Sequence, residues 1–298
     1  MPKYKIAYSI TSEGLRMKIS GRKNAVITGA GSGLGRALAI ALARRGWKIL
    51  AADIDKPEAD VTLEMVKQAG GLGEAMHCDV TKIADVQKMA DYCFDQWGGV
   101  DLLVNNAGVA AGGLTGDIPV EDWHWIVNVN FWGMVYGCHA LIPKMKAAGG
   151  GYIVNVASAA GFTSLPEMAS YNATKAAIIS LSETLKSELA PYNIGITVVC
   201  PTFFNTNILQ DMRCTNDFQR RFAKAAFENA WITSEKIAKM IIKAIEKNRL
   251  YVIPQLSGKL IWIIKRISPS LFYSFMALLM RVGIARKLLL LMARLGMT

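Results

Sequence analysis

Residues 24–36 read Asn24-Ala-Val-Ile-Thr28-Gly29-Ala-Gly-Ser32-Gly33-Leu34-Gly35-Arg36. The run 24–28 is short, apolar and β-prone, and it predicts a buried strand. The next seven residues hold four glycines and predict a turn that opens a helix over residues 36–45. Counted from Gly29, the spacing is G-x-x-x-G-x-G. Glycines at a strand–helix junction let backbone N–H groups and a helix N-terminus approach a pyrophosphate. A glycine-rich loop alone says little, because loops use glycine anyway. The strand before it and the helix after it supply the context the motif needs, and together they make the first unit of an α/β domain.

The alternation continues. Lys48-Ile-Leu-Ala-Ala-Asp53 is a second strand, ending in an acid eighteen residues after Gly35. A carboxylate there accepts hydrogen bonds from an adenosine ribose and repels a 2′-phosphate, and Ile54 stands where an arginine would have favoured NADP. The plainer reading of Asp53 is a turn cap. Residues 73–78 form a third strand closed by Asp79 and Val80, and a helix is predicted over 82–97. Strand 100–104 then runs into Asn105-Asn106-Ala107-Gly108, whose small residues and amide suit packing against the adenosine half of a cofactor. A long helix is predicted over 120–148. Within it Asn130 is polar in apolar surroundings, so it is either a core hydrogen-bonder or a member of the site. Strands follow at 151–157, 194–200 and 250–253, with a helix at 234–246. Strand alternating with helix predicts a parallel, doubly wound sheet. Residues 203–212 show no clean period and read as a loop at the sheet's C-terminal edge, where specificity is usually placed.

The chemistry concentrates at Ser158 to Lys175. Tyr171 and Lys175 stand four apart at the start of a helical stretch, which puts both on one face. An ammonium beside a phenol favours the phenolate, bringing a group of ordinary pKa about 10 within reach of neutral pH. Ser158 lies thirteen residues before Tyr171, just after strand 151–157, where a hydroxyl can hydrogen-bond a substrate oxygen. The pair alone would be an ordinary exposed helix pair. The serine and the glycine turn raise it to a candidate site.

With 298 residues, one large α/β domain plus an appendage fits better than two domains. Residues 1–20 read as an extension, 21–256 as the catalytic domain and 257–298 as a C-terminal helical extension. The N-terminal stretch has no apolar core or cleavage pattern of a secretory signal. Met17 is an alternative start that would make residues 1–16 an extension or an upstream artefact. Five cysteines without a C-x-x-C pair and three histidines out of ligand spacing predict no metal site, a reduced compartment and a cytoplasmic protein. Apolar residues make up 52% of the chain and mean hydropathy is +0.26, high for a soluble enzyme. The net charge is +11, and residues 259–298 hold seven Lys/Arg with no Asp or Glu. No nucleic-acid module precedes this tail, so a membrane surface is the better anionic partner. Its longest uncharged run, fourteen residues between Arg266 and Arg281, is shorter than the about 20 residues a spanning helix needs. Membrane-associated helices lying in an interface are the first expectation; a subunit contact or a roof over the substrate pocket is the second.

Taken together, Thr28-Gly29 to Gly35, Asn105 to Gly108, Asn130, Ser158 and Tyr171-x-x-x-Lys175 resemble the short-chain dehydrogenase/reductase family over about residues 20–255. The resemblance implies a Rossmann-like seven-stranded sheet of order 3-2-1-4-5-6-7 and a nicotinamide cofactor. It implies Tyr171 as general acid/base, Ser158 orienting the substrate oxygen and Lys175 binding the nicotinamide ribose while lowering the Tyr171 pKa. Asn130 would help hold a proton-relay water. Cofactor contacts are expected from Thr28, Gly29, Ser32, Gly33, Leu34, Gly35, Asp53, Ile54, Asp79, Val80, Asn106, Ala107, Gly108, Tyr171, Lys175, Pro201, Thr202 and Thr206. Substrate contacts are expected from Phe162, Leu165, Phe203 and Phe204. Pro201-Thr202 departs from the more usual Pro-Gly. The expected activity is NAD-dependent interconversion of a lipophilic secondary alcohol and its ketone, by a homodimer or homotetramer. The rival is a catalytically idle NAD-binding sensor or scaffold at a membrane, against which the intact Ser-Tyr-Lys-Asn set argues.

Overall fold

The computed structural model describes residues 22–209 and 211–296; the N-terminal extension lies outside them. Seven parallel strands form the main sheet: β1 (Asn24–Thr28), β2 (Lys48–Asp53), β3 (Leu72–His77), β4 (Leu102–Asn105), β5 (Gly151–Val156), β6 (Ile194–Val199) and β7 (Tyr251–Val252). Their order is β3-β2-β1-β4-β5-β6-β7, as the resemblance implies. Between β3 and β4 the order reverses around β1, the topological switch point of a doubly wound sheet.

The central strands are buried on both faces, so they read as continuous apolar runs. Their side chains still sort by the two-residue period of a strand. Ala25 and Ile27 join a core beneath α1 (Gly33–Ala43) and the helix Ser234–Glu246, while Val26 points to the opposite core. That second core lies beneath the helices Ile83–Trp97 and Gly133–Ala147. β3 and β7 are the sheet edges, and Leu72 at the start of β3 is largely exposed.

The helix expected over 120–148 is present but contains one π turn, Asn128–Trp132, between Val120–Val127 and Gly133–Ala147. A π turn inside a helix often marks a functional position, and this one contains Asn130. The helix expected from Arg36 starts three residues earlier, at Gly33, so the glycine turn itself supplies the helix N-terminus. A further amphipathic helix, Asp217–Glu228, stands where no element was expected.

The tail folds into three helices, Leu256–Ile267, Pro269–Arg281 and Ala285–Arg294. The first two are bent by 113° at Ser268, and no single helix among the described residues is long and apolar enough to cross a membrane. Ala285–Arg294 packs against Asp217–Glu228 through buried Ala293 and half-buried Leu289.

A buried polar chain ties β4 and β5 to the helix Ala169–Glu188. Asn105 Nδ2 donates to Asn155 Oδ1 at 2.9 Å, Asn155 Nδ2 to Ser182 Oγ at 3.0 Å, and Ser182 Oγ to the Ile178 carbonyl at 2.7 Å. Removing the middle member leaves buried partners unsatisfied. Asn155→Ala is therefore expected to cost about 1–3 kcal/mol of stability, read as a lower urea midpoint at unchanged slope.

Candidate active site

The C-terminal ends of the strands converge on one cavity of about 890 Å³. At one end stands the glycine turn. A Cβ at Gly35 would lie 2.2 Å from the Gly29 carbonyl oxygen, and one at Gly29, where φ is +61°, would lie 2.7 Å from Ala107 Cα. The turn can therefore press against both α1 and the exit of β4 only because these positions carry no side chain. Asn106 Nδ2 completes the contact, donating to the carbonyls of Thr28 (3.0 Å) and Gly29 (2.8 Å). Thr28 Oγ1 accepts from the Asn106 and Ala107 amides at 3.1 and 3.2 Å. Thr28 and Gly35 thus shape the turn from behind and do not line the cavity.

Asp53 sits at the end of β2. Its carboxylate accepts from the Gly31 amide at 2.7 Å and the Asp55 amide at 3.0 Å. Asp53, Asp55 and Glu58 all line this end of the cavity. The nearby cation, Arg36, is already engaged, with Nη2 2.6 Å from Glu58 Oε2. Ile54 is 65% exposed at the rim. The Asp79 carboxyl is penalised by burial, but hydrogen bonds from Thr81 and the Lys82 ammonium outweigh this and hold its pKa below the usual value. Gly29, Ser32, Leu34, Val80, Asn106, Ala107 and Gly108 also face the cavity. So do Pro201, Thr202 and Thr206, and the last stands over Gly33. Thr202 presents its backbone amide to Gln255 Oε1 at 3.0 Å, so the departure from Pro-Gly is accommodated by a side chain at the start of the tail.

Ser158, Tyr171 and Lys175 meet midway along the cavity. Ser158 Oγ accepts from the Ala160 amide at 3.1 Å and donates to the Pro201 carbonyl at 3.3 Å. Lys175 is 3% exposed, with Nζ donating to the Val156 carbonyl at 3.1 Å and lying 5.6 Å from the centroid of the Tyr171 ring. The shared helix face is as read from the spacing. Burial pushes the Tyr171 phenol up to about 12, and the neighbouring Ser158 hydroxyl opposes that rise. Burial pulls the Lys175 ammonium down to about 8.

Asn130 is fully buried. Its Oδ1 accepts from the Val109 amide at 2.8 Å, and its Nδ2 donates to the Val109 carbonyl at 2.9 Å and Thr174 Oγ1 at 3.3 Å. The side chain is a core hydrogen-bonder outside the cavity lining, yet it stands beside the site. A Cβ at Gly108 would lie 3.2 Å from Asn130 Oδ1 and 3.4 Å from Lys175 Nζ.

At the far end the cavity is lined mostly by apolar side chains, with Gln219 among them. Leu165, Phe203 and Phe204 line it as expected, but Phe162 does not. Phe162 is 8% exposed and packs inward with Met134, Ala157 and Ile178. The single helical turn Ala160–Thr163 aims it at the core. The helix Asp217–Glu228 adds Gln219, Phe222 and Phe227 to the lining, and Phe203 packs edge-on against both phenylalanines at 5.4 and 5.2 Å. The tail supplies Ser257, Ile261, Leu289 and Met292, so it roofs the pocket. One ion pair secures that roof: Arg286 Nε donates at 2.7 Å to Glu167 Oε1, and Gln219 Nε2 bonds the other carboxylate oxygen. Asn216, capping the Phe218 amide at 2.9 Å, was the sequence signal for the missed helix.

The family profile described as short chain dehydrogenase matches residues 23–217. The chain belongs to the short-chain dehydrogenase/reductase family and is an oxidoreductase of that family. It is 33% identical over 246 residues to the CLA biosynthesis dehydrogenase/reductase of Lactiplantibacillus plantarum, covering 76% of this chain and 86% of that one. Among solved structures, a short-chain dehydrogenase/reductase of Burkholderia phymatum in complex with NAD superposes with a TM-score of 0.79 at 33% identity. The match covers 84% of this chain and 94% of that one. The 3-ketoacyl-(acyl-carrier-protein) reductase of Brucella melitensis complexed with NADH superposes with a TM-score of 0.68 at 29% identity, covering 79% and 98%.

The Lys175 shift has a thermodynamic consequence. Its folded pKa of about 8 lies below the ordinary 10.5, so between those values the unfolded chain holds a proton that the folded chain has released. Stability therefore rises with pH across that window, and below it the fold carries the full cost of a buried ammonium. Lys175→Met is expected to raise stability at pH 7 by about 1–3 kcal/mol. In urea titrations repeated across pH, the gain should shrink between about 8 and 10.5.

Proposed function

We propose that the protein is an NAD(H)-dependent alcohol dehydrogenase/ketone reductase acting on a lipophilic secondary alcohol or the matching ketone. The observation that carries this reading is the meeting of Ser158, Tyr171 and Lys175 in one cavity with the glycine turn and Asp53. The residues fit a dinucleotide. The turn is side-chain-free where Gly29 meets Ala107, α1 begins without a side-chain cap on its amides, and a carboxylate ends β2. Helix amides suit a pyrophosphate and the acid suits a ribose.

The nicotinamide, when bound, supplies hydride transfer at C4; the remaining chemistry belongs to the chain. The Ser158 hydroxyl orients the substrate oxygen. Tyr171, pushed up to about 12, keeps its proton at neutral pH and can give it to a ketone oxygen. In the oxidative direction the phenol must first give up that proton, and the phenolate then takes the substrate hydroxyl proton as general base. Lys175 is the buried cation nearest the phenol; it holds the nicotinamide ribose and favours the phenolate when the proton leaves. Asn130, beside Gly108, helps hold a relay water near Lys175. The far end, walled by Leu165, Phe203, Phe222, Phe227 and the tail, supports an apolar substrate. A homodimer or homotetramer belongs to the same reading.

Preference for NAD(H) rests on the acids at the adenosine end and on the pairing of Arg36 with Glu58, which engages the cation nearest that end among the described residues. Both cofactor-bound relatives carry NAD or NADH, which supports the reading. NAD(H) is expected to bind more tightly than NADP(H), and Asp53→Ala should narrow the difference; equal or tighter NADP(H) binding by the unaltered protein would overturn the preference.

Tyr171→Phe removes the transferable proton and little bulk. It is expected to lower kcat by about 10²–10⁴-fold with NAD affinity nearly unchanged. A variant retaining more than about a tenth of kcat would assign the proton transfer to another group.

A further inference from the structure

More than half of the exposed large apolar side chains among the described residues lie after residue 255. They are ordered, not scattered. On Leu256–Ile267 the exposed residues are Leu256, Leu260, Ile263, Ile264 and Ile267; on Pro269–Arg281 and its cap, Leu271, Phe275, Leu278 and Val282. On Ala285–Arg294 and its flanks they are Ile284, Leu288, Leu291 and Leu295. Each set follows the i, i+4, i+7, i+11 spacing of one helix face. Three consecutive helices thus each leave an apolar stripe in water, where a soluble chain would place polar residues.

The same helices turn other faces inward. Ser257 and Ile261 of the first helix and Leu289 and Met292 of the third line the substrate end of the cavity. One helix layer therefore separates the cavity from the exposed apolar surface.

Charge selects the occupant. Residues 259–298 hold seven cations and no acid. Arg286 is matched by Glu167, and Lys259, Arg266, Arg281, Lys287 and Arg294 remain exposed. A second copy docking on this face would set the same cations against themselves, because a two-fold interface is self-complementary. An anionic lipid surface compensates them all while receiving the apolar stripes. The 113° bend and the cations within the layer suit helices lying along a surface.

We propose that the outer faces of Leu256–Ile267, Pro269–Arg281 and Ala285–Arg294 dock on an anionic membrane surface, with the roof of the substrate cavity against the lipid. A lipophilic substrate, as proposed above, gives this placement its use. Vesicle binding is read without turnover, so the docking and the dehydrogenase reading fail separately.

The test is co-sedimentation of the full-length protein with phosphatidylcholine vesicles, with and without about 30% phosphatidylglycerol, at low and high salt. Binding should require the anionic lipid, weaken at high salt and persist in part. Lys259→Gln/Arg281→Gln/Lys287→Gln should weaken it on the order of 100-fold. Lys236→Gln/Lys239→Gln/Lys243→Gln, which removes equal charge from the exposed face of Ser234–Glu246, should leave it within about twofold. Ile264→Ser/Leu278→Ser/Leu291→Ser, one change per stripe, should abolish the part that survives high salt. Circular dichroism checks that each variant is folded. No binding to anionic vesicles at low salt overturns the proposal, as does equal weakening by the two charge variants. So does a serine variant that binds lipid as before but shifts from oligomer to monomer in light scattering, because the stripes then serve a subunit contact.

Discussion

Three backbone segments share a space that admits no side chains. The turn at Gly29, the first turn of α1 at Gly35 and the exit of β4 at Ala107 approach to distances that a single Cβ would violate. That constraint locates everything downstream of it. It sets α1 against the sheet with its amides open at the switch point, brings Asn106 within reach of the Thr28 and Gly29 carbonyls, and places the Asp53 carboxylate over the Gly31 amide. The nucleotide end of the cavity is therefore largely preformed by backbone, and backbone amides accept a phosphate with little reorganisation.

The reactive end is built on the opposite principle. Its polar groups are side chains kept from water, and their properties follow from burial more than from one another. The phenol is pushed towards keeping its proton and the ammonium towards losing it. Both shifts oppose charge in the same small volume. The site as folded thus stores a neutral acid and a destabilised cation, and a negative charge arriving on the substrate oxygen or the phenol would be met by the ammonium at little added desolvation cost. Burial of this kind lowers stability, as the Lys175 shift shows.

How much of this was legible in the sequence depended on range. The glycine turn, Asp53, Ser158 and the Tyr171–Lys175 pair were readable because each is a local pattern whose neighbours set its geometry. The sheet order came with the family resemblance, not with periodicity. Spacing placed Lys175 beside Tyr171 but could not say that burial would govern both pKa values. Phe162 was misplaced because its direction is set by a single turn of helix, too short to show a period. The helix Asp217–Glu228 was overlooked although Asn216 announces it. The role of the tail was open for a different reason: its inward and outward faces are both apolar, so composition could not separate a roof from an exposed surface. Folding shows it is a roof on one side.

The ion pair that secures that roof joins positions 119 residues apart. Glu167 lies four residues before Tyr171, in the loop leading into its helix, with its side chain buried and its backbone at a φ of +64°. The carboxylate's removal from water is offset by a cation from the far end of the chain, and an unpaired buried carboxylate is costly. Without Arg286 the same burial would leave the carboxylate with Gln219 Nε2 alone, so the conformation of the loop before the tyrosine is tied to the third tail helix.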